Sequence, residues 1–155
     1  MSNLLGASAF REMLVGTKVD RDTAVLPATA YGALFTVAGG RVLVTGLVGE
    51  FTVAASATAT TVAVTGTPTT GTATTWATAT AVTSKEVGSQ VTLPAAFGGA
   101  TVVNSAGAGG QFQPKSPFVA AIGTIGITTS ATNTGSVKWT LTYVPLDDGA
   151  TVTAS

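Results

Sequence analysis

Residues 31–53 read Tyr31-Gly32-Ala33-Leu34-Phe35-Thr36-Val37-Ala38-Gly39-Gly40-Arg41-Val42-Leu43-Val44-Thr45-Gly46-Leu47-Val48-Gly49-Glu50-Phe51-Thr52-Val53. β-Branched and aromatic residues flank Gly39-Gly40, and two adjacent glycines supply the positive φ angles that a two-residue hairpin loop needs. The stretch therefore predicts a β-hairpin in which Val37 faces Val42 and Phe35 faces Val44. Cross-strand partners share a face, so Phe35, Val37, Val42 and Val44, with Tyr31, Ala33, Gly46 and Val48, form a wholly apolar side. The other side mixes Thr36 and Thr45 with Leu34, Leu43 and Leu47. A half-apolar second side predicts that the hairpin is covered on both faces, by the rest of the chain or by neighbouring subunits. Arg41 stands at the tip as a lone charge and a candidate contact.

Before the hairpin, residues 1–26 hold six of the fourteen charges: Arg11, Glu12, Lys18, Asp20, Arg21 and Asp22. They are read as an N-terminal arm, largely extended, joined to a β domain over residues 27–155. Phe10, Met13 and Leu14 fall at i, i+3 and i+4 between Ser8, a potential N-cap, and Gly16, a potential C-cap, which predicts a short helix over residues 8–15. So short a helix is marginal in water and persists only when docked, either on a neighbour or on its own domain. Leu26-Pro27 ends the arm, because proline disfavours helical geometry before it and cannot join a central ladder.

After the hairpin, Val62 and Val64 alternate with Thr61, Ala63 and Thr65, a second run surrounds Trp76, and Thr67-Pro68-Thr69-Thr70-Gly71 turns between them. These predict outer strands. Shorter strands are expected at Val91-Thr92-Leu93 and Thr101-Val102-Val103, with a Gly-rich loop over 104–117. Residues 118–129 read as one strand covered on two sides, in which Gly123 and Gly126 mark close backbone approach or a bulge. Ser136 to Tyr143 alternate, with Val137, Trp139, Leu141 and Tyr143 on the apolar face and Ser136, Lys138, Thr140 and Thr142 on a wet one. Asp147-Asp148-Gly149 turns, and a last short strand follows at Thr151–Thr153. The fold class is all-β: an antiparallel β-sandwich or partly closed barrel of about eight strands with an N-terminal arm.

Composition narrows the function. Charged residues are 9% of the 155, with seven basic and seven acidic side chains and no basic cluster, so the electrostatic footprint of nucleic-acid binding is missing. No apolar run approaches the length of a membrane span, and no basic, apolar leader opens the chain. A soluble, cytoplasmically made protein is expected. Histidine and cysteine are both absent, which removes the usual general base and the strongest nucleophile. The acids (Glu12, Asp20, Asp22, Glu50, Glu86, Asp147, Asp148) lie mostly in turns or the arm, without the opposed environments that split a catalytic pair. Asp20-Arg21-Asp22-Thr23 lacks the further ligands of a calcium loop, and Gly107-Ala108-Gly109-Gly110 lacks the Lys-Ser/Thr of a phosphate loop. No catalytic residue, metal ligand or cofactor is expected. Trp76 and Tyr143 could stack on a sugar, against the ordinary role of such rings in a core or interface.

The runs Arg21-Asp22-Thr23-Ala24-Val25-Leu26-Pro27-Ala28-Thr29-Ala30, Leu34 to Thr45 and Leu47-Val48-Gly49-Glu50, with the closing Gly135-Ser136-Val137-Lys138-Trp139-Thr140-Leu141-Thr142-Tyr143-Val144-Pro145-Leu146-Asp147-Asp148-Gly149-Ala150, resemble small virion structural proteins of tailed phages that infect actinobacteria. The resemblance covers somewhat under half the chain and implies a head-associated, non-enzymatic protein. It implies a decoration or minor capsid protein that binds and stabilises the outside of the shell formed by the major capsid protein, with the virion surface as its location. Such proteins commonly cap symmetry axes, so a homo-oligomer, a trimer foremost, is expected. Phe10, Arg11, Met13, Leu14 and Arg21 would contact the shell, while Phe35, Val37, Val42, Val44, Trp139 and Tyr143 would build the core or the oligomer. The alternative is a head-fibre, tail or host-recognition module whose Gly-rich loop or Thr/Ala segment binds a glycan.

Overall fold

A computed structural model describes residues 6–112 and 114–155; residues 1–5 of the arm and Gln113 of the Gly-rich loop lie outside the described part. One helix, α1 (Ala7–Val15), precedes eleven strands: β1 (Thr17–Val25), β2 (Tyr31–Ala38), β3 (Val42–Val53), β4 (Thr61–Pro68), β5 (Thr74–Ala81), β6 (Gln90–Thr92), β7 (Val102–Asn104), β8 (Phe118–Ala120), β9 (Gly123–Thr129), β10 (Ser136–Pro145) and β11 (Thr151–Ala154). The strands form two antiparallel sheets. The first runs β1-β10-β3-β6-β7, with β8 also on β3; the second runs β11-β2-β9-β4-β5. The described residues form an all-β sandwich with eleven strands where about eight are expected, because the arm contributes β1 and the run 118–129 divides in two.

The predicted hairpin at Gly39-Gly40 is not formed. β2 pairs with β9 and β11, while β3 pairs with β10, β6 and β8 in the opposite sheet. Of the two glycines only Gly39 takes a positive φ, 74°, so the loop that would fold the strands onto each other is absent. Residues 39–41 turn a corner between sheets instead. They are tied to the turn after β10: the Arg41 backbone N–H donates to Asp147 Oδ2 at 2.7 Å and the Leu146 N–H to the Arg41 carbonyl at 3.0 Å.

A second corner lies beside it. The run 118–129, read as one strand, divides into β8 in the first sheet and β9 in the second. Val37 pairs with Gly123 before the corner and Val42 with Ala120 after it, so one pair of chain segments bends together from sheet to sheet. Gly123 carries the bend at φ 148°, and a Cβ there would strike the Thr67 carbonyl.

Phe35, Val37, Val42 and Val44 are all buried, as the hairpin reading requires, but they reach the core from two sheets. The second apolar parity has a local cause as well. The β3–β10 register slips between Val44↔Tyr143 and Gly46↔Thr142, leaving Thr45 as an extra residue. A bulge of one residue reverses which side alternates inward, so Leu47 and Phe51 return to the core that Val42 and Val44 entered on the other parity. A like slip between Ala33 and Phe35 in β2 buries both Leu34 and Phe35. Leu34 and Leu47 on the half-apolar second face therefore record bulges, while Leu43 faces outward. Trp139 and Tyr143 are buried, with Trp139 packed on Gly49, where a Cβ would sit 2.6 Å from the ring.

Candidate functional site

The predicted helix is present, with boundaries shifted. It begins after Gly6, not Ser8, and no side chain caps it; Gly16 ends it at φ 87°, donating its N–H to the Glu12 carbonyl at 2.9 Å. A Cβ on Gly16 would meet the Tyr143 carbonyl and the Val144 side chain, so glycine lets the chain leave the helix tight against β10. β1 then runs along β10 as the edge of the first sheet, which places residues 17–25 of the arm within the sandwich.

The C-terminal end of α1 sits on the outer face of that sheet. Thr45, released by the bulge, bonds through its hydroxyl to the Val15 carbonyl and pairs with Thr142 at 2.8 Å. Thr142, assigned to the wet face, is buried beneath this seat. Phe112 from the Gly-rich loop covers the neighbouring position, its ring 3.3 Å from where a Gly46 Cβ would stand. Beyond the seat, α1 buries none of its residues, and Phe10, Met13 and Leu14 are 56%, 72% and 66% exposed. Arg11 and Glu12 are exposed on the same helix.

A second apolar group adjoins the seat. Leu43 is the register partner of both Val144 and Val119, which puts the three in one row across β10, β3 and β8. Their neighbours Val42, Val44, Phe118, Ala120 and Tyr143 are buried, so the row points outward, with Val119 and Val144 exposed. The sequence places Leu43 on the half-apolar second side and Val119 in a run covered on two sides, but not the row they form with Val144. Their signal is an apolar residue on the outward parity between two inward ones.

Of the remaining contact candidates, Arg21 donates from Nε to the Ser155 main-chain oxygen at 3.0 Å, joining the free edges of the two sheets. Arg41, expected as a lone charge, is paired: its guanidinium meets both Asp147 oxygens, at 3.0 and 2.8 Å. The Arg41 side chain first, then its backbone N–H, holds the Asp147 carboxyl down at about 2. Asp20 is lowered by hydrogen bonds from Lys18, 2.6 Å away, and from Thr140 at 2.7 Å. Two of the seven acids are thus committed to local ion pairs. Among the described residues no three His, Cys, Asp or Glu lie close enough to hold a metal ion, and no helix is long and apolar enough to cross a membrane. Trp76 is buried with its ring edge-on to Phe118 at 5.8 Å and pressed on Gly66, and Tyr143 is buried too, so neither offers a stacking face.

The described chain is thus a β-sandwich carrying an exposed amphipathic helix on one sheet. Comparison with protein-family models, curated proteins and solved structures finds no match to it.

Proposed function

We propose that the chain is a non-enzymatic structural protein that docks on a larger assembly through α1 and the Val119–Leu43–Val144 row. The observation that carries this reading is the stripe of Phe10, Met13 and Leu14 on a helix with no buried residue. Covering a large apolar side chain is worth roughly 1.5–3 kcal/mol, and a nine-residue helix is marginal on its own in water. A partner surface laid over the stripe supplies that stabilisation. The resemblance to phage virion proteins names the partner: the protein is a decoration or minor capsid protein, α1 gripping major capsid protein subunits at the outside of the shell. Low charge and many exposed apolar residues suit a permanent contact.

The test is binding to purified shells by the wild-type chain and by a Phe10→Ser, Met13→Ser, Leu14→Ser variant. The variant should keep its β circular-dichroism spectrum and lose roughly 30-fold or more in affinity, the scale of removing a hot spot of about 2 kcal/mol or more. Undiminished binding sinks the proposal. The host-recognition alternative would rest on the Gly-rich loop or the Thr/Ala segment without a stacking platform at Trp76, because that ring is buried.

A further inference from the structure

The five strands of the second sheet contain no Asp, Glu, Lys or Arg, whereas β1, β3 and β10 of the first carry Lys18, Asp20, Arg21, Asp22, Glu50 and Lys138. Its inward side is Phe35, Val37, Val62, Val64, Ile125, Ile127 and Val152, all buried. The residues between them face out, and the register sets them in rows. Thr153, Thr36, Thr124 and Thr67 are successive cross-strand partners on β11, β2, β9 and β4. The next row is Ala33, Gly126, Thr65 and Thr75, and the one after it Tyr31, Thr128 and Ala63. One large side chain lies on this floor of methyls and hydroxyls. Tyr31 crosses Gly126, where a Cβ would come within 2.6 Å of its ring, and bonds Thr124 Oγ1 from its hydroxyl at 2.7 Å, while remaining 38% exposed.

We infer that this face is the surface through which copies of the chain associate. A surface meant for water carries charge on roughly 25–35% of its residues, and none is here. A face without charge meets its own copy with no like-charge repulsion and no ion to desolvate. The size is sufficient. Strands about 4.8 Å apart with a rise of about 3.3 Å per residue give this sheet roughly 550 Å² per copy, or about 1,100 Å² for two. That passes the ~1,000 Å² expected of a specific contact. Tyr31 supplies the aromatic anchor and the threonine rows supply a small-residue surface that permits close approach. The inference is independent of α1 and of the shell, which belong to the opposite sheet.

Sedimentation or light scattering of the purified full chain, over a concentration series to roughly 100 µM where micromolar association is complete, reads the state directly. The wild type is expected as an oligomer. Thr128→Lys and Thr65→Lys, each placing one ammonium on the face, should give monomers that keep the β circular-dichroism spectrum and a cooperative melt, and Ala108→Lys in the exposed loop should leave the oligomer intact. A wild type that stays monomeric overturns the inference. So does an oligomer that survives both face substitutions, or one that dissociates instead in the Phe10→Ser, Met13→Ser, Leu14→Ser variant.

Discussion

Gly40 owes its identity to a neighbour rather than to its own torsion. It is buried at the corner, and a Cβ there would stand 2.6 Å from the Asp147 Cβ and 3.2 Å from that of Ala150. The close approach lets Asp147 use both carboxylate oxygens on Arg41, side chain and backbone, and so pin the corner to the turn after β10. A carboxyl whose folded pKa, about 2, lies below its ordinary 3.8 stabilises the fold above pH 4, and that contribution disappears as pH falls from about 4 to 2. The Asp147→Asn variant should therefore melt below the wild type at pH 7, and the gap between the two should close across that window. Melting curves that keep a constant gap down to pH 2 would assign the difference to something other than ionisation.

Within β3 one extra residue changes what the whole element presents. Without Thr45 in the count, Val42, Val44, Leu47, Gly49 and Phe51 keep a single inward phase against β10. Deleting Thr45 should accordingly leave the inward set intact and cost about 1–2 kcal/mol, from lost seat contacts. Deleting Val48, three residues on, breaks the phase between Leu47 and Phe51, so that one of the two must turn out of the core, and should cost about 3 kcal/mol or more. Urea denaturation of the two deletions gives the comparison, and equal costs would show that the bulge does not set the phase. The same bulge frees the Thr45 hydroxyl to hold the end of α1, so the irregularity that completes the core also places the helix.

The sandwich and its helix are energetically separable. α1 buries no residue, whereas the core draws on both sheets and on nearly every strand. Removing residues 1–14 should leave the melting temperature within a few degrees of the full chain, since losing about 1 kcal/mol shifts a domain of this size by roughly 2–4 °C, while the proposed function expects shell binding to be lost. A fall of more than ~10 °C would mean that the helix is part of the fold. The two sheets also divide the surface: charge, helix and outward apolar row on one, an uncharged threonine face on the other. On the proposed readings, one face would grip a support and the other would meet copies of the chain.

Alternation and turn chemistry alone made most strands legible. Val62 and Val64, Trp76, the Val137–Tyr143 series and the Phe10–Met13–Leu14 spacing all lie in elements of the expected type, because local periodicity is a property of consecutive residues. Close approach at Gly123 and Gly126 was legible for the same reason. Which strands pair was not. Gly39-Gly40 satisfies a hairpin and a corner equally well, and the choice falls to contacts with Asp147 and Ala150 more than a hundred residues away. Likewise a bulge leaves no mark in a strand except apolar residues on both parities, which a strand covered twice would also show. The tertiary structure decided between them, since register is a relation between two chains' worth of backbone and is set only when both are in place.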